Sequence, residues 1–185
     1  MKSVCFVFVL CVFLSCSDTQ KSIDEYANFP VKFSKQKVEH PNIDFSLDIP
    51  KSWKWKVEDF HNENFVLGIS AGSEVKKGGS VDLISVQKIK YFGKSKDLKS
   101  EFECFLDKDI KILESGKTKI FNENAFFYRT KFNDSYGDFE MITFFLESRT
   151  EGQFYNLTAS FSGNIDLEKK MSILIQSLLT FKKLE

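Results

Sequence analysis

Four cysteines and two histidines carry nearly all the nucleophilic and metal-binding chemistry open to this 185-residue chain. Cys5, Cys11 and Cys16 crowd into the first sixteen residues, and Cys104 alone remains in the body, so no disulfide framework can form there. Neither C-x-x-C nor H-E-x-x-H is spelled. His40 stands in a polar region. His61 lies in a polar loop beside Glu58, Asp59 and Glu63, where a solvated histidine is expected rather than a metal ligand or a general base. Ser115-Gly116-Lys117-Thr118 ends like a phosphate-binding loop, but the glycine required five positions before Gly116 is Lys111, and a helical period precedes the motif instead of following it. Asp134, Asp138 and Glu140 gather carboxylates around one turn without the ligand spacing of a calcium loop. No catalytic, cofactor-binding or metal-binding residue is expected. One chemical role is expected, lipid attachment at Cys16.

That role follows from what surrounds Cys16. One charge, Lys2, precedes an apolar run from Val4 to Leu14. Ser15 and Cys16 come next, and Ser17, Asp18, Thr19, Gln20 and Lys21 are all polar. Eleven apolar residues are too few to span a hydrocarbon core, which needs about twenty in a helix, but they suit the h-region of a signal peptide. Phe13-Leu14-Ser15-Cys16 resembles the bacterial lipobox, in which a small residue precedes a cysteine that is acylated before the signal is removed. The resemblance implies a lipoprotein signal peptide over 1–15 and acyl chains at Cys16, each contributing about 0.8 kcal/mol per buried methylene. Ser17 after the cysteine resembles an outer-membrane sorting pattern. The expected location is therefore the bacterial cell envelope, anchored by lipid in the outer membrane and facing the periplasm.

Formal charge is zero, from 26 basic and 26 acidic side chains. That balance implies neither nucleic acid nor a strongly charged partner. Without disulfides, stability must come from a core, for which 21 phenylalanines supply large apolar groups. Residues 16–41 read as the lipidated cysteine followed by a polar tether, and 42–185 as the globular domain. Ile43, Phe45, Leu47 and Ile49 alternate with polar residues as a half-buried strand does, and Trp53, Trp55 and Val57 repeat the pattern. Phe65 to Ser70 and Val81 to Tyr91 form a hairpin whose second strand is central in the sheet. From about Ser95 the period changes: Leu98, Phe102, Phe105, Leu106, Ile110 and Leu113 predict an amphipathic helix stopped by Ser115-Gly116. Strands over Lys117–Phe121, Ala125–Phe132, Phe139–Glu147 and Phe154–Phe161 follow, joined by turn residues. Asp166 is the expected N-cap of a final helix with Leu167, Met171, Leu174, Ile175 and Leu178 on one stripe. The fold class is α+β, a largely antiparallel sheet packed by a middle helix and a C-terminal helix.

Phe45-Ser46-Leu47-Asp48-Ile49-Pro50-Lys51-Ser52-Trp53 and the closing Ile175-Gln176-Ser177-Leu178-Leu179-Thr180-Phe181 resemble the PsbP-like, or Mog-type, superfamily. The resemblance covers about Ile43 to Lys182. It implies a sheet sandwiched by helices, and it implies no shared catalytic residues. The expected function is a non-catalytic binding or accessory module of the envelope, with the membrane and an envelope protein as partners, no nucleic acid and no cofactor. The alternative is a carrier or sensor of a small apolar ligand, held by Trp53, Trp55, Phe126, Phe127, Phe144, Phe145 and Tyr155 on an aromatic sheet face. Lys88, Lys90, Lys94, Lys96 and Lys99 are expected to face solvent.

Overall fold

A computed structural model describes residues 21–59, 62–75, 81–106, 110–120, 123–134, 137–162 and 166–184. The first of these already belong to the fold. Ser22 opens a five-residue helix, α1 (Ile23–Ala27), through a reciprocal capping box: the Ser22 hydroxyl accepts from the Glu25 N–H at 3.4 Å, and the Glu25 carboxylate accepts from the Ser22 N–H at 2.7 Å. A helix this short is not stable alone in water. It is held by burial of Ile23 and Tyr26 and by contact with the C-terminal helix.

The strands are β1 (Lys35–Val38), β2 (Phe45–Pro50), β3 (Lys54–Val57), β4 (Phe65–Gly72) and β5 (Leu83–Lys90). Helix α2 (Leu98–Phe105) follows, then β6 (Lys111–Ile120), β7 (Glu123–Asp134), β8 (Gly137–Glu147) and β9 (Gln153–Ser162). Helix α3 (Leu167–Leu178) and the short β10 (Lys182–Lys183) close the chain. Seven strands make an antiparallel sheet in the order β3-β4-β5-β9-β8-β7-β6, and β1-β2-β10 make a small second sheet. Alternation gives the large sheet two apolar faces. One, with Ile69, Ile84, Val86, Ile142, Phe144 and Leu157, packs against Met171, Leu174, Ile175 and Leu178 of α3 and Phe45, Leu47 and Ile49 of β2. The other, with Tyr128, Phe145 and Phe154, packs against Leu98 and Phe102 of α2. Phe45, Tyr155 and Phe181 form a ring cluster with centroids 5.1–6.1 Å apart that joins β2 and the C-terminal segment to β9.

Three expectations are corrected. The tether over 16–41 does not hold from Lys21 onward, because α1 and β1 are built into the domain; residues 16–20 lie outside the described ones. The middle helix ends at Phe105, and Gly116 is not its stop but a strand residue opposite Phe127. Ile110 and Leu113 happen to continue a three-four spacing, but Ile110 lies in a bend before β6 and Leu113 sits at a register shift inside β6, whose pairing with β7 requires an extended backbone. Asp166 stands at the N-cap of α3 but in the left-handed region, φ 57°, and its side chain caps nothing.

The docking of α1 turns on one residue. Arg129 on β7 is 1% exposed, and its Nε donates to the carboxylate of Glu140 on β8, which is itself buried. Its Nη1 donates to the Lys21 carbonyl at 2.8 Å, its Nη2 lies 3.5 Å from the Tyr26 hydroxyl, and its guanidinium sits 5.1 Å from the Tyr26 ring centroid. Removing one partner of a buried pair leaves an uncompensated charge, at about 3–5 kcal/mol. Arg129→Met is therefore expected to lower the urea unfolding free energy by about that amount. Arg129→Met with Glu140→Leu should recover more than half of the loss. Equal losses in the single and double variants would contradict the role given to the pair.

Candidate functional site

The Pro50-Lys51-Ser52-Trp53 segment is a tight turn, with the Trp53 N–H donating to the Pro50 carbonyl at 2.9 Å. Gln36 of β1 locks it, its Nε2 donating to the Pro50 carbonyl at 3.0 Å and the Trp53 carbonyl at 2.6 Å. The Lys51 N–H adds a bond to the Ser34 carbonyl at 2.8 Å. The turn swings the Trp53 indole inward, and beside it opens a groove of about 490 Å³ between the turn, the end of β4 and the first turns of α3. Phe33, Trp53, Ile173 and Leu174 give it apolar walls, and Val75, 72% exposed, stands at its mouth. Its polar side carries Glu74, Asp166 and Lys169 beside an ion pair, Lys170 Nζ to Asp82 at 3.3 Å with both side chains nearly buried, and Lys170 also donates to the Ser162 carbonyl at 2.9 Å. The site can therefore hold an apolar or amphipathic group against a polar edge of mixed charge.

Other buried charges are paired as well, except Glu101 of α2, which is 1% exposed and accepts from the Gly93 N–H at 2.5 Å, with no cation beside it among the described residues. Lys88, expected in solvent, is 6% exposed and donates to Asp44 at 2.5 Å and to the Thr150 hydroxyl at 3.0 Å. It lies on the inner face of β5 with Ile84 and Val86, whereas Lys90, Lys94, Lys96 and Lys99 are exposed as expected. Burial pushes the Tyr155 phenol above its ordinary range, helped by the charge of Asp44. Burial also pushes Tyr91 up, helped by its bond to Glu147 at 2.5 Å. Beside the docked α1, burial raises the Glu114 carboxyl against the pull of Arg129, with Asp24 and Glu25 adding to the rise. A raised carboxyl stabilises the fold while protonated, so its contribution is full below the unfolded value and is lost as pH climbs through the folded one.

Other residues with candidate chemistry prove structural or fall outside the described part. Cys16 and His61 lie outside it. The His40 Nδ1 accepts from the Asn42 N–H at 3.1 Å, which makes its imidazole a turn cap. Ser115-Gly116-Lys117-Thr118 runs mid-strand in β6, its backbone facing β7. Of the three carboxylates, Glu140 is engaged by Arg129. Asp138 accepts from Asn133 at 2.7 Å and lies 3.6 Å from Lys131, and the Asp134 side chain is outside the description. Among the described residues no three His, Cys, Asp or Glu side chains converge as a metal site. Cys104 is exposed and free. The aromatic sheet-face pocket is overturned: Phe127, Phe144 and Tyr155 lie on one face of the sheet, Phe126 and Phe145 on the other, and packing fills both.

Two features correct the sequence reading, which expects no G-x-S-x-G and does not single out Arg129. Gly68-Ile69-Ser70-Ala71-Gly72 spells G-x-S-x-G, which in hydrolases places a serine on a sharp strand-to-helix turn. Here it is the interior of β4, the Ser70 hydroxyl donating to Glu58, whose carboxyl that bond and Lys56 hold below its usual range. A carboxyl so depressed is a poor base for the serine. The second feature is Arg129. Its signal is scarcity, since only Arg129 and Arg149 are arginines in a lysine-rich chain, and Arg129 directly follows the apolar run Ala125–Tyr128.

This arrangement defines a class: the fold is PsbP-like, an antiparallel sheet between helical layers carrying the Pro50-to-Trp53 turn. The solution structure of cyanobacterial PsbP (CyanoP) from Synechocystis sp. PCC 6803 matches with a TM-score of 0.56 at 9% identity, over 84% of this chain and 95% of that one. LpqN, involved in cell envelope biogenesis of Mycobacterium tuberculosis, matches with a TM-score of 0.50 at 11% identity, over 90% and 99%. A Bacteroides thetaiotaomicron VPI-5482 protein matches with a TM-score of 0.51 at 12% identity over 80% of this chain; the match spans 48%, about half, of that protein. Likeness at these identities establishes the fold, in agreement with the α+β sandwich expected from the sequence. No family model matches the chain, and no curated protein matches it.

The Gln36 amide makes two bonds to the turn, each worth about 0.5–1.5 kcal/mol net. Gln36→Ala in a Trp55→Phe background is expected to lower stability by about 1–3 kcal/mol and to shift Trp53 emission to the red. An unchanged urea midpoint and emission maximum would show that the turn stands without Gln36.

Proposed function

We propose that this chain is a lipid-anchored module of the bacterial cell envelope that binds a partner protein and performs no catalysis. The observation that carries the proposal is the disposition of charge. The buried acids Glu140 and Asp82 and the half-buried Asp44 each meet a cation, respectively Arg129, Lys170 and Lys88, while the buried Glu101 is taken up by the Gly93 N–H. Acids neutralised in this way hold sheets and helices together and are not poised to move protons. Of the concave surfaces among the described residues, the Trp53 groove has an aromatic anchor, apolar walls and an exposed valine at its mouth, a composition that suits contact with another molecule. The signal-like start ending at Cys16 supports the anchor. The similarity to LpqN, a protein of cell envelope biogenesis, supports the envelope setting. Among the described residues no helix is long and apolar enough to cross a membrane.

A second reading, carriage of a small apolar ligand, moves from the sheet face to this groove, whose 490 Å³ lies within the range of small-molecule sites. One experiment separates the two in the full-length protein. A photo-crosslinking side chain at Val75 is expected to give a discrete protein adduct in native membranes; an adduct with only a small mass increment would support the ligand reading instead, and no adduct would count against both. In the same cells Cys16→Ala is expected to abolish fatty-acid labelling and membrane retention. Unchanged label and retention would end the lipoprotein claim.

A further inference from the structure

We propose that the docked α1 holds the domain directly against the bilayer, with the face around Lys21 and the first turn of α3 apposed to a lipid headgroup surface. This rests on the proposed lipidation of Cys16. Five residue steps separate Cys16 from Lys21, so the anchor point lies at most about 18 Å from the Lys21 backbone. Had the chain first joined the fold at Lys35, the reach would be about 65 Å, enough for the domain to tumble freely.

Lys21 is fixed from three sides. Its carbonyl accepts from Arg129, its ammonium pairs with Glu168 at 2.7 Å in the first turn of α3, and the same ammonium lies 4.8 Å from the Phe29 ring centroid. Gln176 of α3 extends the hold, its Nε2 donating to the Phe29 carbonyl at 2.8 Å. The turn of α3 that carries Glu168 also carries Lys169 and Lys170 at the Trp53 groove. An α-helix with its side chains is about 10–12 Å across, so the groove opens within about a helix width of Lys21. A partner reaching the groove therefore approaches along the membrane plane, and the far end of the sheet, around Glu151, points away. β9, ten residues long, separates the two ends by about 30 Å.

The test uses full-length lipidated protein in vesicles of phosphatidylethanolamine and phosphatidylglycerol carrying a headgroup acceptor dye. In a Cys104→Ser background a donor dye is placed at Lys169→Cys or at Glu151→Cys. Energy transfer is expected to be at least about twofold greater from position 169, as about 30 Å of separation requires. Twenty Gly/Ser residues inserted between Thr19 and Gln20 leave the fold untouched and should erase the difference. Protein that fails to float with the vesicles overturns the anchoring and, with it, this orientation. Protein that floats but transfers equally or more from position 151, or keeps the difference after the insertion, overturns the orientation alone.

Discussion

A guanidinium with 1% of its surface exposed must find partners inside the fold, and Arg129 finds them on two layers at once. Glu140 on the neighbouring strand supplies the opposite charge, and the Lys21 carbonyl and the Tyr26 ring and hydroxyl supply the rest. Because those groups come from the start of the described chain, satisfying the buried charge and docking α1 are one event. A five-residue helix has too little propensity to persist, so its capping box becomes useful only once Tyr26 is seated. The strand pairs β7–β8 and β8–β9 would stand without this contact. Where the chain's beginning leaves the domain would then be undetermined.

The proposed function rests on the same use of charge. A chain with balanced charge and no disulfide has fitted polar groups into a phenylalanine-rich core by pairing them across elements: Lys88 of β5 with Asp44 beside β2, Lys170 of α3 with Asp82 beside β5, and Arg129 of β7 with Glu140 of β8. Such pairs add little net stability, because the desolvation they require offsets their attraction. They also leave the Trp53 groove as a shaped surface rather than a reactive one. That fits the proposed module working by contact, and the short reach to the proposed anchor at Cys16 would give the contact a direction.

Much of the fold was legible because its elements are long and their periods clean. The alternation over Ile43–Ile49, the three strands from Ala125 to Phe161 and the stripe of α3 appear where the residues put them. The remainder was hidden for physical reasons. Ile110 and Leu113 extend a helical spacing by coincidence, and edge-strand pairing with β7 overrides it. α1 is too short to show a period, and it exists through tertiary contacts that no local pattern encodes. Lys88 and Arg129 look like surface charges in one dimension, since only the folded sheet brings Asp44 and Glu140 to them. Ser70 shows the converse, a catalytic spelling made inert by its place in a strand.

The central claim, that the chain beginning at Lys21 is part of the folded domain, is tested most directly by native-state hydrogen exchange at the amides of Tyr26 and Asn28. These donate to the Ser22 carbonyl at 3.2 Å and the Asp24 carbonyl at 3.1 Å. The account predicts protection far above that of a free peptide, reduced in Arg129→Met. Exchange at free-peptide rates in the wild-type protein would contradict it.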